Sequence, residues 1–340
     1  MRRPVDRRPV TLVATAAGLT LLLAGCAGTT GTARTGAAGP RPVATQRSTQ
    51  GSSTSSSPVA LSVPVSVSAS TPGTGTAVSR LTGSSARTLR APAGLPWKSV
   101  PGSPALATAA LDGGSVSLLW MDPTRLRFRY VPGTLFPEGG PATAADNTPS
   151  TWLSRMVAAF NGGFMLKDHV GGYYYLGRTV APLRPGYAAF VITKSGALSV
   201  GVWGRDLRMS PNVLVVRQNL RPLVDHGVSQ AAPADGPRTW GLAINNAALV
   251  NRSALGRLPN GSLIFAYGAS VRANTLAAAL VRAGVTEAVM LDMNLTWPTG
   301  YTYTHLAGHL HGNRINYRIV RPPTIYFTRF RKDFVAVLAN

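Results

Sequence analysis

The chain has 340 residues, with Lys and Arg totalling 34 against 12 Asp and Glu, a formal net charge of +22 carried almost wholly by Arg. Such a balance draws a protein towards polyanions: anionic lipid headgroups, phosphate-containing wall polymers or nucleic acid. An Ala-, Gly-, Pro- and Arg-rich composition is equally what a GC-rich genome produces, so charge alone selects no partner. Nucleic acid is set aside, because no zinc-finger spacing, RNA-binding aromatic motif or basic helix accompanies the charge.

Arg2, Arg3, Arg7 and Arg8 precede an apolar run, Val10 to Ala24, that is short for a membrane span. Leu23-Ala24-Gly25-Cys26 follows, and Cys26 is the single cysteine, so no disulfide is available. This segment resembles the bacterial lipobox, which implies cleavage before Cys26 and acylation of its thiol. The plainer alternative is an ordinary signal peptide or an uncleaved anchor. Arg7-Arg8 is too weakly flanked to assign the twin-arginine route.

From Ala27 to about Arg90 the chain is dominated by Ser, Thr, Gly, Ala and Pro, which bury too little apolar surface to offset chain entropy. A disordered tether is expected there, with a weak strand at Val59 to Val67 as the alternative. The expected organisation is therefore a lipoprotein signal peptide at 1–25, a lipid-anchored linker at 26–92 and one folded domain at 93–340 on the extracytoplasmic face of the cell membrane.

Within that domain, Ser115 to Met121 and Arg125 to Val131 flank Asp122-Pro123 and are expected to pair as a hairpin. Tyr187 to Thr193 and Ala197 to Trp203, joined by Lys194-Ser195-Gly196, make a second; Thr239 to Ile244 and Ala247 to Val250, joined by Asn245-Asn246, make a third. Asn212 to Gln218 and Ser262 to Tyr267 read as further strands. Thr148 and Pro149 open a short helix to Met156, leading into Val157 to Phe160. A second helix is expected over Thr275 to Ala283, with Asn274 as N-cap and Gly284 as the stop. The strand Ala288 to Leu291 follows and delivers Asp292 to its C-terminal end, where open sheets place their sites. The expected class is α+β: a mixed, hairpin-rich β-sheet with packed helices.

Two blocks, Ala159-Phe160-Asn161-Gly162-Gly163-Phe164 and Pro237-Arg238-Thr239 followed by Thr275 to Asp292, resemble the phosphodiester glycosidase domain family over roughly residues 150 to 340. Where most members carry a glycine run after Leu-Asp, this chain reads Leu291-Asp292-Met293-Asn294-Leu295-Thr296-Trp297, which resembles an actinobacterial branch of the family. The resemblance implies hydrolysis of a glycosyl phosphodiester or a related envelope glycan, with no cofactor and no metal. A non-catalytic module that binds phosphate-bearing glycans is the alternative implied by the lost glycines.

Sugar–phosphate cleavage puts charge on the departing phosphate, so a cation can replace the usual acid. Arg238 is the candidate, since a guanidinium meets phosphate through two charge-assisted hydrogen bonds. Asp292 would stabilise the oxocarbenium-like centre, and Asp168 is the reserve second carboxylate. Gly162 and Gly163 would offer backbone N–H groups to phosphate, and Asn161 would orient a sugar hydroxyl. Thr239 and Asn294 are further substrate contacts, and Trp297, with Tyr301 and Tyr303, is a sugar-stacking candidate beside an equal expectation of core packing. Taken one at a time, a strand-end Asp is a cap, a Gly-Gly pair a turn and an Arg at a hairpin start a solvated charge. His305, His309 and His311 have no zinc-motif spacing and read as a surface strand or a pocket loop.

Overall fold

The computed structural model describes residues 88–134 and 146–340. The expected signal peptide, Cys26 and nearly all of the expected tether lie outside the described residues. Packing begins within the last residues assigned to the tether: the Leu89 amide donates to Asp122 Oδ2 at 3.2 Å, and Leu89 and Ala91 lie against buried side chains.

Among the described residues strands dominate, in three antiparallel sheets. An eight-stranded sheet runs, edge to edge, Lys98–Val100, Ser103–Leu111, Val116–Met121, Leu263–Val271, Val250–Arg257, Glu287–Met293, Val224–Asp225, Val228–Ser229. One five-stranded sheet runs Arg178–Ala181, Tyr173–Tyr175, Val213–Gln218, Ala188–Thr193, Leu198–Val202. The other runs His309–Arg314, Gly300–Leu306, Met156–Asn161, Phe334–Ala339, Leu126–Val131.

The α+β expectation is overturned. The α-helices among the described residues are Ser150–Leu153, a single turn, and Ala273–Arg282, the one helix long enough to cover a sheet. The segment after Thr148 yields so little helix because Met156 onward is a buried strand, whose pairing on both edges outweighs local helix preference. The rule that sites gather at strand C-termini belongs to parallel sheets, and these ladders are antiparallel.

Period-2 alternation explains the layering. In Leu263–Val271, Leu263, Phe265, Tyr267 and Ala269 face a core shared by all three sheets, while Ile264 and Ala266 face a second core under the helix Ala273–Arg282; Ser270, at φ 54°, breaks the alternation and turns Val271 to that second core. Phe265 stacks on Phe160 of the neighbouring sheet, ring centroids 4.9 Å apart. The helix buries Leu276, Ala277 and Leu280, and Gly284 at φ 80° ends it as expected.

Of the expected hairpins, Ala188–Thr193 with Leu198–Val202 forms. Val116–Met121 and Leu126–Val131 do not pair: the first lies between Ser103–Leu111 and Leu263–Val271, the second against Phe334–Ala339. Asp122 directs the parting, accepting from the Thr124 amide at 3.0 Å and hydroxyl at 2.6 Å. The third expected hairpin is a loop containing the 3₁₀ turn Ile244–Asn246, with Asn245 and Asn246 at positive φ.

Candidate functional site

Asn161 ends the strand Met156–Asn161 opposite Phe334, and the chain then turns through Gly162 and Gly163. Its amide hydrogens go to Gly162 O (2.8 Å) and Ser253 Oγ (2.9 Å), and its Oδ1 accepts from the Thr299 amide at 3.0 Å. Both donors are thus spent, one on fixing the turn at Gly162 and the other on joining two sheets through Ser253. Ser253 Oγ also accepts from the Asp292 amide at 3.2 Å, which ties the Asn-Gly-Gly-Phe segment to the strand Glu287–Met293.

Gly162 and Gly163 pack where no side chain fits. A Cβ on Gly162 would fall onto the Asp333 carboxylate, and one on Gly163 would lie 2.5 Å from Asn219 Nδ2. Their amides are already given away: Gly162 N to Asp333 O at 2.8 Å, Gly163 N to Asp333 Oδ2 at 3.2 Å. Asp333 Oδ2 further accepts from Tyr130 OH and Arg217 Nε, each at 3.0 Å, and Asp333 and Arg217 are fully buried. Burial is the strongest single influence on the Arg217 guanidinium and depresses it, but the charge and hydrogen bond of Asp333 together with Tyr130 and Tyr173 outweigh it and leave Arg217 above its usual value. We expect Gly162→Ala to cost at least about 2 kcal/mol, within the range measured for forced overpacking, and chemical denaturation would read it. A loss below about 0.5 kcal/mol would show that the carboxylate moves aside freely.

Asp292 is buried on the other side of this network, 3% exposed. Its Oδ1 accepts from the Met293 amide at 2.7 Å and its Oδ2 is ion-paired with Lys332, itself buried. Burial drives its carboxyl up to about 6, against the opposing pull of Lys332. The Lys332 ammonium lies 4.9 Å from the centre of the Trp297 ring, and the Arg321 guanidinium lies at the same 4.9 Å. A cleft of about 350 Å³ opens over this ring, lined by Trp297, Arg321, Ile325, Arg329, Phe330 and Arg331.

The structure therefore gathers Asn161, Gly162, Gly163, Asp292 and Trp297 into one connected cluster. Asn294, at φ 94°, accepts from the Ile244 amide at 3.2 Å. Arg238 is exposed and donates to Asn246 Oδ1 at 3.1 Å on that same turn, while the side-chain partners of Asp292 are Lys332 and the Met293 amide. Thr239 lines a second cleft with His169, Tyr187 and Arg221. Asp168 is exposed at the end of the 3₁₀ turn Leu166–Asp168, next to that cleft's His169. Tyr301 and Tyr303 belong to the core, their hydroxyls donating to Arg321 O and Pro323 O. The histidines lie on the hairpin of Gly300–Leu306 and His309–Arg314.

The residues that the motifs did not reveal are Ser253, Arg217, Lys332 and Asp333. The one available signal was Arg331-Lys332-Asp333 directly before the apolar run Phe334 to Leu338, a charged segment entering a buried strand. Asp225, His226 and Glu287 bring ligand atoms within 4.8 Å of one another, as a metal site requires. Arg205 already pairs with that cluster, at 2.7 Å from Asp225 and 3.2 Å from Glu287.

No protein-family model matches the chain, and no curated protein matches it. Among solved structures it is similar to the catalytic domain of zebrafish N-acetylglucosamine-1-phosphodiester alpha-N-acetylglucosaminidase, auto-inhibited by its pro-peptide. That match has a TM-score of 0.41 and 18% identity, over 71% of this chain and 85% of that one. A hypothetical protein from Synechocystis matches at TM-score 0.39 and 13% identity, over 73% of this chain and 64% of that one. The resemblance is structural and distant.

Proposed function

We propose that the domain hydrolyses a glycosyl phosphodiester, or a related glycan of the cell envelope, with Asp292 as the carboxylate that meets the anomeric centre. The observation that carries this reading is the placement of Asp292: a buried carboxyl pushed up to about 6, paired with Lys332 beside a cationic cleft floored by Trp297. A carboxyl in that range changes protonation close to neutral pH, which suits acid–base or nucleophilic work. Cleavage between sugar and phosphate leaves a stable anion, so nearby cations can carry the charge that a general acid would otherwise relieve. The test is release of free sugar from a sugar-1-phosphodiester model substrate by the purified protein.

A second reading, a non-catalytic module that holds phosphate-bearing glycans, is favoured by one observation: Asp292 and Lys332 neutralise each other and are both almost fully enclosed. Tight binding of the model substrate with no sugar release would select it.

We place the domain on the extracytoplasmic face of the cell membrane, held by an acylated Cys26 and its tether. Acylation supplies the hydrophobic anchor. Cys26→Ala is expected to move the protein from the membrane to the soluble fraction, or to stall it as the larger precursor. A variant processed and membrane-bound like the parent would sink the anchor.

A further inference from the structure

We infer that the cleft over Trp297 is a phosphate-binding subsite, with Arg321 and Arg331 as its ligands. Its place as the leaving-group side of the reaction rests on the hydrolase reading; its capacity to bind phosphate does not.

The argument begins with charge. Arg321, Arg329 and Arg331 line one cleft of about 350 Å³, and Lys332 lies against the Trp297 ring that forms its floor. Like charges confined together repel, and a structure ordinarily places carboxylates among them. Here Arg329 is answered by Asp146, Nε to Oδ2 at 2.9 Å, and Lys332 by Asp292. Among the described residues, Arg321 and Arg331 make no ion pair.

Geometry adds to this. Arg321 Nε donates to Thr296 O at 2.9 Å, and its guanidinium lies 4.9 Å from the centre of the Trp297 ring, so the side chain is held before any ligand arrives. An arginine fixed through Nε still has the hydrogens of its terminal nitrogens, the prongs that meet two oxygens of one phosphate. Pre-orientation of this kind removes much of the entropic cost of binding. Ile325 and Phe330 supply apolar wall, which suits a phosphate carrying a short organic group.

Position gives the subsite its meaning. Lys332 lies against both the Trp297 ring and Asp292, so one residue links the cleft to the carboxylate, and the leaving-group side is assigned to the cleft through that link. Arg238, bonded to Asn246, has no part in it.

The same chemistry is offered by a soluble phosphate ester and by an anionic phospholipid headgroup, and the experiment separates them. Glycerol 1-phosphate is titrated into the full chain by calorimetry at low salt, with the change in intrinsic fluorescence of its six tryptophans that Trp297→Phe removes as a second readout. Arg321→Gln combined with Arg331→Gln should weaken binding at least tenfold, while Arg238→Gln stays within about twofold, with folding checked by thermal melts. Retained binding in the double variant, or no binding by the parent chain, overturns the subsite. Vesicles of phosphatidylglycerol form the second arm: vesicle binding that glycerol 1-phosphate displaces and the double variant loses assigns the headgroup as a source, and binding of the soluble ester alone assigns a free ester. Phosphate binding without turnover would leave the subsite standing and defeat the hydrolase reading.

Discussion

Asp292→Asn is expected to lower kcat on a sugar-1-phosphodiester by at least about a thousandfold, about 4 kcal/mol of transition-state stabilisation. The amide keeps the shape of the carboxylate and removes the charge that opposes an oxocarbenium-like centre, so the loss falls on kcat more than on substrate affinity. The pH profile carries a second signature. Asp292 sits at about 6 in the folded protein, and its reactive form as nucleophile or base is the anion. Activity should therefore be level above about 6 and fall roughly tenfold per pH unit below it. One complication has to be met in the design: Asp292 is the counter-charge of buried Lys332, and breaking a buried pair costs about 3–5 kcal/mol. Asp292→Asn combined with Lys332→Met removes the stranded ammonium, so it should regain much of the stability and none of the turnover. Full activity in either variant would put the reaction centre elsewhere; a stable, inactive double variant isolates chemistry from folding.

What the sequence made legible follows the range of the forces involved. The helix Ala273–Arg282 and the hairpin Ala188–Thr193 with Leu198–Val202 were readable because periodicity and a turn are local. The fate of Val116–Met121 and Leu126–Val131 was not, since their partners, Leu263–Val271 and Phe334–Ala339, lie far along the chain and both strands are apolar enough to accept several neighbours. The class was misjudged for the same reason: helix signals near Thr148 were real but short, and strand pairing set by distant residues prevailed. At the site, Asn161, Gly162, Gly163 and Asp292 were visible as motif residues, yet what they do was not. The two glycines pack against Asp333 and spend their amides on it, a role that no inspection of Asn-Gly-Gly-Phe alone would assign. Lys332 and Asp333 escaped notice because adjacent opposite charges usually mark a solvated turn. Only the fold shows them pointing into two buried pairs, with Asp292 and with Arg217.

Asp333→Ala is expected to be among the most damaging single changes to stability. Asp333 Oδ2 takes hydrogen bonds from Tyr130, Arg217 and Gly163, and removing it leaves the Arg217 guanidinium fully buried with no counter-charge. The cost of an uncompensated buried charge is about 3–5 kcal/mol. At about 2–4 °C per kcal/mol for a domain of this size, the melting temperature should drop by about 6–20 °C. Removing both charges tests whether the pair or the packing matters. Arg217→Met with Asp333→Asn removes both charges while keeping the shape of Asp333 and an acceptor for Tyr130 and Gly163, and should recover most of the loss because no charge remains to be solvated. A single variant within about 1 kcal/mol of the parent would show that Arg217 finds water or another acceptor, and that the buried pair is dispensable. The effect should also reach the reaction. The Asp333 backbone carbonyl holds Gly162 and its side chain holds Gly163, while Lys332, one residue earlier, holds Asp292. If that stretch of chain loosens, Asp292 loses its fixed partner, so the double variant should fold yet turn over substrate more slowly, with the fall of activity at acid pH displaced from its position in the parent.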